Sequence, residues 1–231
     1  MTVSISEQNI FTSNAQTLVN TVNCEGVMGA GIALEFRLRY PAMHERYQQL
    51  CEEKLMQPGK LWLFKAGERN VLNFPTKTSW KHPSRLEYIT QGLDNLANTV
   101  HQRGISSIAL PLLGADKGGL DPAVITRLIQ TKLAAVAEFI PVTLHLYRPD
   151  QKDDLFDKFV QHLHLHTAAE LAQQTGITSK RVEAIYNAVD SDQFCQLNQL
   201  AQVPGIGVKT LERLFRHCMD DAPSMQTLSL F

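Results

Sequence analysis

The chain has 231 residues, of which 44% are hydrophobic and 19% are charged, and its formal net charge is −1. This composition is typical of a soluble globular protein, and it excludes a disordered chain and a long apolar membrane-spanning run. A net charge so close to zero argues against broad electrostatic attraction to nucleic acid, so any contact with DNA must be local. The length allows one large or two small domains.

Cysteine and histidine usage indicates neither a disulfide scaffold nor a metal site. The four cysteines are widely scattered, without a C-x-x-C motif: Cys24, Cys51, Cys195 and Cys218. Three tail histidines alternate, which is poor spacing for ligands on one helical face: His162, His164 and His166. Because the first residues also lack the pattern of a secretory signal, we expect reduced thiols, a cytoplasmic location, no metal and no cofactor. We expect Cys24 to pack rather than to act as a nucleophile, because no partner histidine is in view.

The first predicted elements lead into a glycine-rich turn. Residues 3–10 form a plausible first strand, and residues 18–22 form an apolar second strand that runs into the turn and then an amphipathic helix. The glycines of the turn are Gly26, Gly29 and Gly31. This geometry is typical of phosphate sites, because backbone N–H groups and a helix N-terminus face the anion. The spacing matches neither the dinucleotide nor the nucleoside-triphosphate fingerprint, and a plain tight turn explains the glycines alone equally well.

Helices and short strands alternate in the next part of the chain. The helical pattern is broken at Pro41 and resumes over residues 43–53. Residues 61–64 and 71–74 then form a predicted hairpin. Its second strand leads to Lys77, which on position alone would be an ordinary solvated lysine.

A core-facing helix is predicted over residues 86–100, with Ser84 and Glu87 at the spacing of a capping box. Just before this helix, Trp80 and His82 are placed to close over a ligand. For His82, a solvated loop histidine is the favoured alternative.

A second glycine-rich loop follows the apolar strand predicted over residues 105–113. The loop occupies residues 114–120, and Asp121 is placed to cap the helix that follows. It supplies a second set of backbone donors, so the two loops would form a cradle for a diphosphate. A helix over residues 123–138 and a strand over residues 142–147 complete an α/β/α unit with right-handed crossovers.

Three motifs follow one another in order within residues 1–148. The first motif joins residues 19–23, which read V-N-x-x-N, to residues 26–33, which read G-x-M-G-x-G-I-A. Residues 73–80 read NFPTKTSW and residues 110–120 read LPLLGADKGGL. Together they resemble the macrodomain family of ADP-ribose binders, and within it the DarG-like branch that removes ADP-ribose from DNA. The resemblance implies a three-layer α/β/α macrodomain with a mixed sheet.

The resemblance also implies an ADP-ribose site at the strand ends and loops. Lys77 matches the catalytic lysine of related hydrolases, and Asn23 would fix the distal ribose. Asn9 stands where macrodomains usually present an acid to adenine, and Gly118 stands where some terminal ADP-ribose hydrolases have an aspartate. Asp116 is a candidate substitute for that acid, although capping a turn is the simpler role. The implied ligand-binding residues are Asn9, Asn20, Asn23, Gly26, Val27, Met28, Gly29, Gly31, Ile32, Thr76, Trp80, Leu113, Gly114, Ala115, Asp116, Lys117, Gly118, Gly119 and Leu120.

Two roles are open for Lys77. Breaking a ribosyl bond passes through an oxocarbenium-like state, and a ring-opened sugar exposes an aldehyde at C1″. An unprotonated amine would attack that carbon as a nucleophile, whereas a protonated amine would orient the ribose and the leaving group. Burial lowers the pKa of a lysine and a nearby diphosphate raises it, so the sequence leaves both roles open.

The tail begins at the Arg148-Pro149-Asp150 linker. Beyond residue 148 the strand patterns stop and helical spacing takes over. We assign residues 149–160 to the linker and the start of the first tail helix, residues 161–220 to a second domain, and residues 221–231 to a terminal tail.

The second domain contains an internal repeat. Residues 171–185 (LAQQTGITSKRVEAI) align without a gap with residues 200–214 (LAQVPGIGVKTLERL). Each copy resembles a helix-hairpin-helix module, which implies a small all-α domain whose hairpin N–H groups bind DNA phosphates without reading sequence. The implied DNA-binding residues are Gly176, Thr178, Lys180, Arg181, Gly205, Gly207, Lys209 and Thr210. A hairpin pair used only for protein contacts is the alternative.

We therefore predict a hydrolase, similar to the DarG antitoxins, that removes mono-ADP-ribose from a DNA nucleobase while its second domain binds the DNA. Alternative functions are a hydrolase of protein- or RNA-linked ADP-ribose and a non-catalytic ADP-ribose reader. A further possibility is that the tail docks a cognate ADP-ribosyltransferase toxin. We expect no membrane partner.

Overall fold

The computed structural model describes residues 2–189 and 193–220, and the chain divides into two units, residues 1–148 and 149–231. The terminal tail assigned to residues 221–231 lies outside the described residues. None of the helices within the described ranges is both long enough and apolar enough to cross a lipid bilayer.

A six-stranded mixed sheet forms the centre of the first unit. Its strands are β1 (Ser4–Ser6), β2 (Thr17–Val22), β3 (Trp62–Ala66), β4 (Arg69–Pro75), β5 (Ile108–Pro111) and β6 (Val142–His145). They lie in the order β1-β6-β5-β2-β4-β3, and β3 pairs antiparallel with β4 whereas the other pairs are parallel. The carboxyl ends of β5, β2 and β4 are therefore neighbours at one edge of the sheet, which is where open α/β sheets bind ligands.

Helices cover both faces of this sheet. They are α1 (Gly31–Arg39), α2 (Pro41–Glu52), α3 (Leu86–Thr99), α4 (Pro122–Lys132) and α5 (Ala134–Phe139). Successive residues of β2 point to opposite faces, so Leu18 belongs to one apolar cluster with Phe36, while Val19 belongs to another with Leu93 and Ile129. The prediction of a three-layer α/β/α unit with a mixed sheet is confirmed.

The predicted first strand is too long. The strand ends at Ser6, and a 3-10 helix follows at Ile10–Thr12. Asn9 causes this change of conformation, because its side-chain oxygen accepts a hydrogen bond from the N–H of Phe11 at 3.0 Å. An asparagine that caps a turn in this way competes with the hydrogen bonds of a strand.

Helix boundaries confirm some predictions and correct others. Pro41 does separate two helices, and Asp121 does cap α4, accepting from two backbone N–H groups at 2.8 and 3.0 Å. The helix predicted over residues 123–138 is instead two helices that meet at Leu133, whose backbone leaves helical values while its side chain stays buried in the core.

The capping box predicted for Ser84 and Glu87 does not form. Helix α3 begins at Leu86, and Arg85 precedes it without a side-chain capping bond. Ser84 is instead buried against Gly114 and Gly118. Tertiary packing thus overrides the local capping signal.

The second unit is helical within its described residues. It comprises α6 (Phe156–Leu165), α7 (Ala168–Thr175), α8 (Ser179–Val189), a 3-10 helix (Leu197–Gln202) and α9 (Val208–Asp220). Asp153 is buried and accepts hydrogen bonds from the backbone N–H groups of Phe156 and Leu197 at 2.5 and 2.8 Å. One carboxylate therefore satisfies the amino ends of two helices that are distant in sequence.

The tight packing of Gly92 on Phe74 gives a stability prediction for the first unit. A Cβ on Gly92 would lie 2.2 Å from the ring of Phe74, which is fully buried. We expect Gly92→Ala to lower the free energy of unfolding by about 1–3 kcal/mol, because a packed core has no room for the methyl group. Urea unfolding followed by tryptophan fluorescence measures this, since both tryptophans, Trp62 and Trp80, lie in this unit.

The control is the double variant Gly92→Ala/Phe74→Leu, in which the smaller side chain makes room for the methyl group. Adding Gly92→Ala to Phe74→Leu should lower the free energy of unfolding by less than adding it to the wild-type protein. An unchanged urea midpoint for Gly92→Ala alone would contradict the predicted clash.

Candidate functional site

Three segments follow the neighbouring strands β2, β4 and β5. They are the first glycine loop (residues 23–31), the lysine segment (residues 76–80) and the second glycine loop (residues 113–120). Their side-by-side position follows from the parallel pairing of β2 with both β4 and β5. Residues that are far apart in sequence are thus brought to one edge of the sheet.

The three segments contact one another. A Cβ on Gly31 would lie 3.7 Å from a carboxylate oxygen of Asp116, which places the two glycine loops next to each other. The ammonium nitrogen of Lys77 donates to the carbonyl oxygen of Lys117 at 3.2 Å. The backbone N–H of Cys24 donates to the carbonyl of Thr78 at 3.0 Å. The site is therefore one continuous arrangement rather than three separate turns.

Asn23 shapes the first glycine loop from inside. Its side-chain nitrogen donates to the carbonyl of Val27 at 2.6 Å, and its side-chain oxygen accepts from the N–H of Glu25 at 2.8 Å. The hydroxyl of Tyr47 donates to the Asn23 carbonyl at 2.8 Å. Gly26 completes the turn in the left-handed region, with φ of +80°. These bonds fix the conformation of the loop, and the contact of Asn23 with a ribose stays a prediction.

Asn20 lies inside the sheet rather than on the site surface. It is 0% exposed, and its side-chain nitrogen donates to the side-chain oxygen of Asn73 at 3.0 Å. The same nitrogen lies 3.8 Å from the sulfur of Met28. The direct ligand contact implied for Asn20 is therefore not supported by its position, since a fully buried amide cannot be reached by a ligand. Its role is to support the strand end and Met28 beneath the first glycine loop.

The other site residues implied by the resemblance, including Lys77, divide by exposure. Exposed positions are Val27, Gly29, Gly31, Trp80, Asp116, Lys117 and Gly119. Partly buried positions are Asn9, Ile32, Lys77, Gly114, Ala115 and Leu120. Buried positions are Asn23, Gly26, Met28, Thr76, Leu113 and Gly118. The exposed and partly buried groups can meet a ligand directly, whereas the buried groups position the backbone that does so.

Lys77 is the reactive group best placed for chemistry. Its side chain is partly buried, and this burial lowers the pKa of its ammonium group below the ordinary value. A lower pKa increases the fraction of neutral amine, which is the nucleophilic form of lysine. The bond to the Lys117 carbonyl also directs the amine toward the second glycine loop.

Steric crowding explains why position 118 is a glycine. A Cβ there would lie 2.3 Å from both the Gly114 carbonyl oxygen and the Ser84 hydroxyl. The backbone N–H of Ser84 also donates to the Gly118 carbonyl at 2.9 Å. Ser84 therefore occupies the space that an acidic side chain at position 118 would need. Its own hydroxyl has no hydrogen-bond partner among the described residues.

Cys24 does not have the properties of a nucleophile. Burial, together with the nearby Cys51 and Glu25, raises the pKa of the Cys24 thiol to about 12. The thiol is thus protonated at neutral pH, whereas the thiolate is the reactive form. The predicted packing role of Cys24 agrees with this.

Sequence reasoning missed several residues that hold the site together. Tyr47 supports Asn23, Ser84 fills the gap between two glycines, and Asn73 pairs with Asn20. Glu25 accepts from the Ser79 hydroxyl at 2.9 Å and from the N–H of Trp80 at 3.3 Å. A usable sequence signal existed only for Asn73, which is a polar residue between the apolar Leu72 and Phe74.

The two hairpins of the second unit share one geometry. Gly176 and Gly205 are both left-handed, with φ of +66° and +84°. The carbonyl of Thr178 accepts from two N–H groups at the start of α8, and that of Gly207 accepts from two at the start of α9. Of the implied DNA-binding residues, Gly176, Thr178, Lys180, Arg181, Gly205, Gly207 and Lys209 are exposed. Thr210 is 5% exposed, so a DNA contact by its side chain is not supported.

Comparisons with known proteins agree with this geometry. A family model described as "Macro domain" matches residues 19–129. The DNA ADP-ribosyl glycohydrolase of Thermus aquaticus is 40% identical over 132 residues, which cover 55% of this chain and 37% of that protein. A DNA ADP-ribosyl transferase-DNA ADP-ribosyl glycohydrolase fusion protein of Thermosipho africanus is 32% identical over 163 residues, covering 62% of this chain and 42% of that protein. The chain thus spans less than half the length of either relative.

A solved structure defines the family. The macrodomain of Mycobacterium tuberculosis DarG superposes with a TM-score of 0.58 and 34% identity, covering 64% of this chain and 98% of that one. Since almost the whole of that macrodomain is matched, the chain belongs to the macrodomain family.

Proposed function

We propose that the first unit is an ADP-ribosyl glycohydrolase that removes mono-ADP-ribose from a nucleobase of DNA. The observation that carries this proposal is the Lys77 amine, which donates to Lys117 where the two glycine loops meet. Support for the substrate comes from the relatives named DNA ADP-ribosyl glycohydrolase, one of them 40% identical.

The two loops provide the binding half of this function. Gly29, Gly31 and Gly119 are exposed, so a diphosphate can approach the backbone N–H groups without meeting a side chain. The amino end of α1 begins at Gly31 and adds the favourable end of a helix dipole. In this proposal Asn23 holds the first loop in the shape that receives the distal ribose.

Lys77 provides the chemical half. As a neutral amine, its nitrogen lone pair forms a bond to C1″ while the bond between C1″ and the base nitrogen breaks. The base leaves with that electron pair and takes up a proton, and water then displaces the lysine from C1″ to release ADP-ribose. Burial lowers the pKa of Lys77, which is the direction that this nucleophilic role requires.

The second unit supplies DNA contacts in this proposal. In it, the two hairpins act as helix-hairpin-helix modules, in which backbone N–H groups at a helix N-terminus hold a phosphate. Lys180 and Lys209 are exposed in the first turns of α8 and α9, at equivalent positions of the repeat. Linking a weak DNA binder to a weak binder of the modification raises the effective concentration of substrate.

A second candidate role is association with an ADP-ribosyltransferase. The observation that favours it is the Thermosipho africanus relative, whose name joins a transferase and a glycohydrolase in one chain. The test is co-purification of this chain with a transferase encoded by an adjacent gene. Removal of residues 149–231 then shows which unit carries any contact.

Lys77 variants test the catalytic proposal. We expect Lys77→Ala to reduce release of ADP-ribose from an ADP-ribosyl-thymidine oligonucleotide by at least about 100-fold, because the nucleophile is lost. Lys77→Arg should be equally inactive, since a guanidinium keeps the charge but is not nucleophilic. Chromatographic assay of released ADP-ribose, together with calorimetric binding of free ADP-ribose, separates catalysis from binding.

The Lys77→Arg variant and the choice of modified polymer distinguish the alternative functions. An active Lys77→Arg enzyme would assign Lys77 the role of an orienting cation. Faster release from modified protein or RNA than from DNA would overturn the DNA substrate. Binding without release by the wild-type protein on all three polymers would leave only a reader.

The pH dependence of kcat/KM gives an independent prediction. Burial lowers the pKa of Lys77 from 10.5, so its amine becomes neutral at a lower pH than that of an exposed lysine. Because the neutral form is reactive, kcat/KM should rise with pH and level off above this lowered pKa. Stopped assays from neutral to alkaline pH measure the profile, and a rate that falls as the ammonium deprotonates would contradict the nucleophilic role.

Hairpin lysines should contribute electrostatic DNA binding. We expect the double variant Lys180→Ala/Lys209→Ala to weaken binding of an unmodified oligonucleotide and to reduce the salt dependence of log Kd by about 1 per lysine. Fluorescence anisotropy at several salt concentrations measures this. The matched control is Lys158→Ala on α6, outside both hairpins, which should retain the wild-type slope.

A further inference from the structure

Trp80 is a large apolar side chain that the proposed chemistry does not use. Its side chain is 54% exposed, although it stands only three residues after Lys77 in the lysine segment. Single exposed apolar residues are common on protein surfaces. This one differs in its backbone support and in the charges beside it.

The backbone that carries Trp80 is anchored. Its N–H donates to the Glu25 carboxylate at 3.3 Å, and the hydroxyl of Ser79 donates to the same oxygen at 2.9 Å. The N–H of His82 donates to the carbonyl of Ser79 at 3.2 Å, which closes a turn. The indole is therefore presented from a turn that is tied to the first glycine loop. A rigid aromatic side chain loses little conformational entropy when it binds a partner.

One basic side chain lies beside the indole, and a second lies beside Tyr88 in the first turn of α3. The Lys81 ammonium lies 5.5 Å from the centre of the Trp80 ring, and the Arg85 guanidinium lies 5.6 Å from that of Tyr88. Two acids of this region make hydrogen bonds within the protein: Glu25 holds the Trp80 turn, and Glu87 accepts from Gln91 at 3.2 Å. An exposed aromatic ring with a cation beside it is the combination that binds single-stranded nucleic acid, where a base stacks on the ring and a phosphate pairs with the cation.

The position of Lys77 limits where the polymer can run. In the proposed reaction the base leaves from C1″ beside Lys77 while the ADP-ribose fills the glycine loops. The strand attached to that base must therefore pass close to residues near Lys77 that lie outside the loops. Trp80 and Lys81 are such residues, and they reach solvent.

We propose that Trp80 is a stacking platform for an unstacked base of the DNA strand next to the modified nucleotide, with Lys81 beside its phosphates. This contact rests on the proposed DNA substrate and adds a preference for single-stranded over duplex DNA. It gives Trp80 a role in polymer recognition rather than in ADP-ribose binding. Stacking on a ring is tolerant of sequence, because every base has an aromatic face.

Direct contact can be measured without catalysis. The chain has two tryptophans, so in full-length Trp62→Phe the fluorescence comes from Trp80 alone. We expect unmodified (dT)8 to quench this fluorescence saturably, and a duplex of the same length to quench it far less. Absence of quenching at saturating (dT)8, with binding verified by anisotropy, would overturn the proposal.

The energetic contribution is measured in the Lys180→Ala/Lys209→Ala background, which reduces contributions from the hairpins. In this background Trp80→Ala should raise the Kd for labelled (dT)8 by roughly 5- to 100-fold. The Kd of Trp80→Phe should stay within about threefold of the Kd of the parent protein that keeps Trp80. In Trp80→Ala the Kd for free ADP-ribose should rise by a much smaller factor than the Kd for (dT)8, which separates the platform from the ADP-ribose contact that the resemblance implies for Trp80. An equal loss of ADP-ribose affinity in Trp80→Ala would place the ring in the ADP-ribose site and overturn the platform.

The two proposals fail separately. If the protein releases no ADP-ribose from any polymer but (dT)8 still quenches Trp80, the hydrolase proposal falls and the platform stands. If release is normal and Trp80→Ala binds (dT)8 as tightly as the parent protein that keeps Trp80, the platform proposal is wrong and the hydrolase proposal is retained.

Discussion

The parallel pairing of β2 with β4 and β5 determines where chemistry can occur in this protein. Parallel neighbours end at the same edge, so the segments after Val22, Pro75 and Pro111 meet there. The register is reinforced by Asn20 and Asn73, which face each other as partners and share a hydrogen bond of 3.0 Å. A slip of one residue would point each side chain to the opposite face and leave two buried amides without this bond. The correct alignment of the loops thus depends on a polar pair in the middle of an apolar sheet.

Polar side chains fix the conformation of the two glycine loops. Asn23 and Tyr47 hold the first glycine loop, Glu25 ties it to the lysine segment, and Ser84 occupies the space between two glycines of the second loop. None of these groups needs to touch a ligand to matter. Backbone donors that are already in place bind an anion without first losing conformational entropy, which is the advantage of a preorganised site. The steric limit at Gly118 also means that an acid cannot simply be added there to assist Lys77.

The sequence predicted the layers, the order of elements and the two glycine loops, because these depend on local periodicity and on glycine itself. It did not predict the pairing of Asn20 with Asn73, since that depends on a partner strand more than 50 residues away. Ser84 was mistaken for a helix cap because its true neighbours, Gly114 and Gly118, belong to a distant loop. The break at Leu133 leaves the apolar pattern intact and so has no sequence signal. The role proposed for Lys77 came from resemblance alone, because a lysine after a strand is usually a surface charge.

The proposed division of labour follows from the small net charge. A chain with a charge of −1 cannot hold DNA by a broad positive field, so it needs a few local contacts at separate points. Backbone N–H groups at the hairpins and a stacking ring near Lys77 are both contacts that ignore base identity. The modification itself would then supply the specificity, because only an ADP-ribosylated nucleotide fills the glycine loops. Such an arrangement lets weak polymer contacts keep the strand nearby while recognition of the ADP-ribose decides where the reaction takes place.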